Sequence, residues 1–197
     1  MKIIKRVIMK ILLILILLLS IFFIILHLFS LKSQKNIEKY NYTIKKKYSL
    51  FEIRKYDETL FTSVKLPTKE YKKASSKGFS ILAGYIFGDN KKNEKISMTS
   101  PVIMSLEDSI TMMFMAPKKF SKESLPQPNQ SQIKFKKEPS KTIAAISFGG
   151  WANDKKIEMY KEKLKLALDQ EGITYINHFY FMWYNPPFEL FNRKNEI

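Results

Sequence analysis

From Ile11 to Phe29 the chain is apolar at every position except Ser20 and His27, a run of 19 residues. At about 1.5 Å of rise per residue, a helix of this length reaches roughly across a ~30 Å hydrocarbon layer. Lys2, Lys5, Arg6 and Lys10 precede it, and Leu28-Phe29-Ser30-Leu31-Lys32 follows with no small-x-small pair. The run is longer than the apolar region of about 7–15 residues in a cleaved leader, so residues 1–31 read as an uncleaved signal anchor, a transmembrane helix. A helix apolar all round has no face for water and is not a surface element. Residues 32–47 are polar and read as a tether, leaving 48–197 as the globular domain.

Beyond the tether the period changes. Tyr48–Tyr56 alternates, Asp57-Glu58 makes a turn, and Thr59–Leu66 is a second β-rich run. Pro67-Thr68 opens a helix with Thr68 as N-cap, a face of Tyr71, Ser75, Gly78, Leu82 and Tyr85, and Gly88 as its stop. Two strands follow, Ile96–Leu106 and Ile110–Ala116.

After the Pro-rich connection 117–130 the order repeats. Ile133–Lys137 and Thr142–Phe148 are strands, and Asn153 or Asp154 caps a helix striped by Ile157, Tyr160, Leu164, Ala167 and Leu168 that Gly172 ends. The aromatic strand Tyr175–Tyr184 and the closing run Phe188–Asn195 complete the second half, at an offset of about 82–86 residues. This duplication predicts an α+β fold: two β-β-α-β-β halves forming a curved, barrel-like antiparallel sheet with two helices outside. Pro101 and Pro186-Pro187 cannot donate to a ladder and should mark bulges or edges.

Composition narrows the chemistry. The chain has no Cys and only two His, His27 and His178, which excludes disulfides, thiolate metal sites, a Cys nucleophile and a multi-His centre. The formal charge is +16, yet 31 of the 34 basic residues are Lys; Arg6, Arg54 and Arg193 are the exceptions. A scattered Lys surface with so little Arg speaks against nucleic acid as partner and for a solvated basic surface that attracts anionic lipids or ligands. Lysines on both sides of the apolar run leave the charge bias nearly balanced; an N-terminus inside and a domain on the extracytoplasmic side is the orientation expected of a short N-terminal anchor.

Three stretches then carry a resemblance. Gly84–Met104 (GYIFGDNKKNEKISMTSPVIM), Phe148–Asp154 (FGGWAND) and Met182–Ile197 (MWYNPPFELFNRKNEI) resemble, in order and spacing, signatures of the SOUL haem-binding protein family over residues 48–197. The resemblance implies a duplicated α+β barrel of the kind also found in bacterial effector-binding domains. It also implies non-enzymatic binding of haem or a related tetrapyrrole by apolar contact, the cofactor not being required for folding. Carried over by position, the first helix supplies Phe79, Ala83 and Ile86, and the loop before the last strand supplies Tyr184, Phe188 and Leu190. Basic residues of the family pattern fall here on Ser76, Gly84 and Glu189, so Lys77 and Arg193 are the groups left to meet the propionates. His178 reads as a structural histidine, and Met98, Met104, Met112, Met113 and Met115 as core filler rather than iron ligands.

Two other readings compete. One is an iron-free effector-binding or interaction module for amphipathic ligands or peptides. The other is a hydrolase using Glu52, Glu189 or Glu196, whose simpler reading is solvated surface carboxylates.

Overall fold

The computed structural model describes residues 2–35, 37–107, 109–186, 189 and 192–197. It divides into two units, Met1–Ile37 and Glu38–Ile197.

The first unit is the helix α1, Lys2–Lys35. Within it Ile4–Ile25 is 22 residues long, with a mean hydropathy of 3.2 and none of its surface buried by protein. One long apolar N-terminal helix of this kind is a candidate membrane span or signal sequence.

The second unit starts earlier than residue 48. Tyr42–Lys47, read from its polarity as part of a tether, forms strand β1 and pairs antiparallel with β2, Glu52–Tyr56. Its outward positions are exposed, which hides a strand whose anchor is the neighbouring Tyr40, 3% exposed and packed on Tyr56 and Phe61. β3 spans Thr59–Lys65 and leads to helix α2, Tyr71–Ile86. The helix begins at N-cap Glu70 rather than Thr68, without a side-chain cap. Two glycines inside it cost helix propensity, at about 1 kcal/mol each. Gly78 fits close packing: a Cβ there would lie 2.8 Å from Leu66 Cδ1 and 3.0 Å from Met112 Cε, so both side-chain ends would have to shift. Gly88 ends the helix at φ +120°.

Of the expected strand Ile96–Leu106, only Val102–Ser105 (β4) joins the ladder; a cis Ser100-Pro101 bond precedes it. β5 is Thr111–Met115 and β6 is Ile133–Glu138. The expected strand Thr142–Phe148 is two: β7, Lys141–Ala145, and β8, Ser147–Gly149, in different sheets. Helix α3, Asp154–Gln170, is capped by Asn153, whose Oδ1 accepts from the Lys156 N–H at 2.8 Å. The aromatic run contributes only Tyr180–Trp183 (β9), and β10 is Lys194–Glu196.

The pairing confirms the duplication. Seven strands run in the order β6-β3-β5-β4-β9-β10-β8, and three in the order β1-β2-β7. β4 pairs with β9 where the halves meet, and β5 and β10 lie beyond them on either side. The first strand of each half, β2 or β6, pairs with the second strand of the other, β7 or β3. One asymmetry breaks the relation. β3 pairs continuously with β5 from Phe61 to Lys65, whereas β8 pairs with β10 over three residues only. The chain kinks between β7 and β8 at Ile146, which exchanges backbone hydrogen bonds with Ile197 (2.9 and 3.1 Å).

Strand alternation splits the interior in two. Met112, Phe114, Met104 and Phe181 face α2 and α3, with Leu82, Ile81 and Leu164. Met113, Met115, Ile103 and Met182 face the three-stranded sheet, with Tyr40, Tyr56 and Phe61.

Candidate functional site

The residues expected to hold a ligand lie on different faces of the long sheet. Phe79 sits on α2, half-buried, with its ring 5.5 Å from that of Phe114. Ala83 and Ile86, one and two turns on, are 8% and 4% exposed and belong to the outer core. Lys77 is exposed. Tyr184 faces the opposite core, against Tyr56 and Met182, and gives its hydroxyl to Glu196. Phe188 and Leu190 lie outside the described residues.

Arg193 is a clasp. Its Nη1 donates to the Pro186 and Glu189 carbonyls at 3.1 and 2.6 Å, and its guanidinium stacks 3.9 Å above the ring of Trp151. Burial pulls its pKa below the ordinary arginine value, opposed by the nearby Tyr71 and Glu189. Tyr71 opens α2, and its N–H donates to Asp154 of α3 at 2.6 Å, so the starts of both helices meet beside this clasp. Trp151, 56% exposed, was not foreseen as a site residue. Its position directly after Gly149-Gly150, inside one of the three signatures, was the available signal.

The signatures are tied together by structure. Lys194 pairs with Gly149, and the Asn195 amide donates to the Gly150 carbonyl at 2.8 Å, joining the second stretch to the third. In the first, Asn90 is 1% exposed; its Nδ2 donates to the Tyr85 and Glu94 carbonyls, and its Oδ1 accepts from the Lys92 and Glu94 N–H groups. The Thr99 hydroxyl donates to the Met115 carbonyl at 2.7 Å.

Glu196 departs from the expected solvated carboxylate. It is 1% exposed and accepts from Arg54 Nη1 at 2.9 Å, from the Tyr184 hydroxyl and from the Ser147 hydroxyl at 2.8 Å. Burial alone would raise its pKa; the hydrogen bonds from Arg54 and Tyr184 and the charge of Arg54 outweigh it and hold the carboxyl below its ordinary value. The other two acids are also engaged: Glu52 with Arg54 Nε at 2.8 Å, and Glu189 with the Asn185 amide at 2.8 Å.

Two recesses flank these elements. One, of about 760 Å³, lies between the start of α3 and the turn joining β4 to β5 and is lined by Lys65, Asp154, Glu158 and Lys161 among others, a mixed-charge wall unsuited to an apolar plate. The other, of about 510 Å³, opens at the β7–β8 kink and is walled largely by apolar and aromatic side chains. Both volumes fall in the range of about 300–1,000 Å³ usual for small-molecule sites.

For a tetrapyrrole, the described residues offer apolar and aromatic contact rather than a ready iron ligand. His178 has Glu107 at 2.7 Å from Nδ1 and Ser105 at 3.5 Å from Nε2. Met104, Met112, Met113 and Met115 are buried in the cores and Met98 packs against one of them.

The fold is a duplicated α+β barrel with two external helices. The crystal structure of the EcmrR C-terminal domain superposes on it with a TM-score of 0.59 and 11% identity, covering 79% of this chain and 94% of that one, a likeness of fold. The SOUL heme-binding protein family model matches residues 37–197, and the chain belongs to that family. Among its relatives, heme-binding protein 1 of Xenopus laevis is 28% identical, covering 75% of this chain and 81% of its own. Heme-binding protein 2 of Homo sapiens is also 28% identical, over 75% and 76%.

Proposed function

We propose that this protein binds haem or a related tetrapyrrole without transforming it, at α2 and the loop before β10, while α1 tethers it to a membrane. The observation that carries the reading is the family match across the whole Glu38–Ile197 unit, whose named relatives are haem-binding proteins. Phe79 and Lys77 represent the helix side, with Ala83 and Ile86 as backing. Arg193 and Trp151 represent the loop side, and Tyr184 fixes the loop's root from the inner core. Burying an apolar ring face contributes at ~25 cal/mol per Å² and needs no iron ligand. Lys77 and the guanidinium of Arg193 are the cations for the propionates.

The test is a haemin titration of the full chain in nanodiscs, read by the Soret band and by quenching of tryptophan emission. Saturation near one equivalent, weakened at least fivefold by Phe79→Asp and by Trp151→Ala with near-UV circular dichroism unchanged, is expected. A linear response equal to that of empty discs carrying a basic control protein refutes it. The tether reading places the domain on the extracytoplasmic side. Because the chain lacks cysteine, a Ser→Cys change at Ser124, on an exposed turn, gives a single thiol; labelling by a membrane-impermeant maleimide in intact cells is expected, and labelling only after lysis refutes it.

A further inference from the structure

We propose that the 510 Å³ cavity at the β7–β8 kink is a second binding site, for a single-chain lipid carboxylate whose acyl chain fills the cavity and whose head group is held by Lys141. The cavity exists because the duplication is imperfect. β3 is paired with β6 over Thr59–Val64 and with β5 over Phe61–Lys65, so it stays in one sheet, but its counterpart leaves one sheet at Ala145 and enters the other at Ser147. The edge of β7 away from β2 therefore borders open space, across which lies Ile173–Phe179, a segment with no ladder of its own. Ala144 and Ala145 stand where the aligned first-half positions are the larger Thr62 and Ser63, and Leu164, Leu168 and Met182 complete apolar walls.

The polar groups around this cavity are few and directional. Lys141 Nζ, on its lining, donates to Glu138 at 2.9 Å and to the Tyr180 hydroxyl at 3.1 Å, which leaves one of its three donors. Glu138 is shared with Lys136 at 2.6 Å, so two ammonium groups face one carboxylate and a positive charge is left over. Deeper in, Glu196 is paired with Arg54 and Lys194, Arg54 also meeting Glu52. At the lip, His178 meets the exposed Glu107 through Nδ1, and Ile176 is 87% exposed. An apolar slot with the Lys141 ammonium on its wall selects a long apolar body with one negative end. Glu38–Ile197 carries +10 of the chain's charge, since six of the basic residues and none of the acidic ones precede it, which favours an anion over a cation. The apolar helix Ile4–Ile25 supplies the argument for a lipid, because a chain anchored by it lives beside dissolved acyl chains. In that respect alone the inference rests on the tether reading.

The experiment is photo-crosslinking of the full chain in nanodiscs with an alkyne-tagged diazirine palmitate, mapped by peptide mass spectrometry. Label on α1 reports membrane insertion and serves as the internal standard. Label on peptides spanning 141–146 and 173–180, competed by palmitate and at least fivefold less by hexadecanol, is expected. Lys141→Met should cut that label about fivefold and Lys141→Arg restore it; Ala144→Leu should cut it with the circular dichroism spectrum intact. Label confined to α1 overturns the second site, and an unlabelled α1 overturns the tether reading instead. Equal competition by hexadecanol overturns the role of Lys141, and abolition of the label by one equivalent of haemin overturns the independence of the two sites.

Discussion

Replacing Arg54 by Met takes from Glu196 its buried cation and leaves only the half-exposed Lys194 ammonium, 3.0 Å from the other carboxylate oxygen. The side chains are 4% and 1% exposed and meet at 2.9 Å, so solvent screens them little. At an effective dielectric of about 20, a pair about 4 Å apart between charge centres attracts by about 4 kcal/mol, against a desolvation cost of several kcal/mol per ion. The intact pair is therefore close to balanced, and the damage comes from separating it: removal of one partner from a buried pair costs about 3–5 kcal/mol. Ser147 and Tyr184 still donate to Glu196 in the variant and Lys194 still pairs with it, which places the expected loss at the lower end, about 3 kcal/mol. With a urea m-value near 2 kcal/mol/M, the midpoint falls by about 1.5 M. The assay is urea unfolding of the full chain in micelles, followed by tryptophan emission, since Trp151 and Trp183 both lie in the domain. Glu196→Met alone strands Arg54, which keeps Glu52, and should cost about 2–4 kcal/mol. The double variant should be less damaged than the sum of the singles by at least about 2 kcal/mol. Additive losses, or an Arg54→Met midpoint within 0.3 M (about 0.6 kcal/mol) of the parent, would refute the reasoning.

The remaining expectations are shorter. Acid should unfold the domain as pH falls below about 4.5, because the lowered pKa values of Glu196 and Glu138 mean their stabilisation is present above the unfolded value and is lost on protonation; an acid midpoint unchanged in Glu196→Gln would contradict this. On the alkaline side, burial raises Tyr56 and Tyr85 from 10.0 to about 12, so the stability they confer is full below pH 10 and declines towards pH 12; phenolate absorbance titrating wholly at pH 10 while the domain stays folded would disprove it. Asn90→Ala removes four buried hydrogen bonds at about 0.5–1.5 kcal/mol each and should cost about 2 kcal/mol or more in urea unfolding. Gly78→Val should cost more than Gly78→Ala, because one methyl meets only the movable ends of Leu66 and Met112, whereas a branched side chain drives into both; a Val variant that melts at or above the Ala variant would refute the close packing, since helix propensity also favours Ala.

Local chemistry alone was enough for much of the fold. The apolar run gives α1, the 3.6-residue stripes give α2 and α3, and Gly88 and Gly172 end those helices at positive φ because only glycine adopts it without strain. The internal repeat is legible because both halves bury the same faces, so the hydrophobic pattern recurs. Tertiary structure decided the rest. β1 is a strand because Tyr42 and its neighbours pair with β2 across the short connection 48–51, a partner that the polar run's own pattern does not encode. TIAAISF reads as one strand, yet it divides at Ile146 because two different partners, β2 and β10, compete for its edges. Glu196 looked like a surface acid and is instead the most enclosed one, because Arg54, 142 positions earlier, is folded against it. Tyr184 turned inward for the same reason, while Arg193 closed on its own loop and on Trp151. Sequence periodicity reports which residues are buried; which buried groups meet is decided by strand order, where a hydrogen bond between chain segments far apart outweighs the preference of either segment alone.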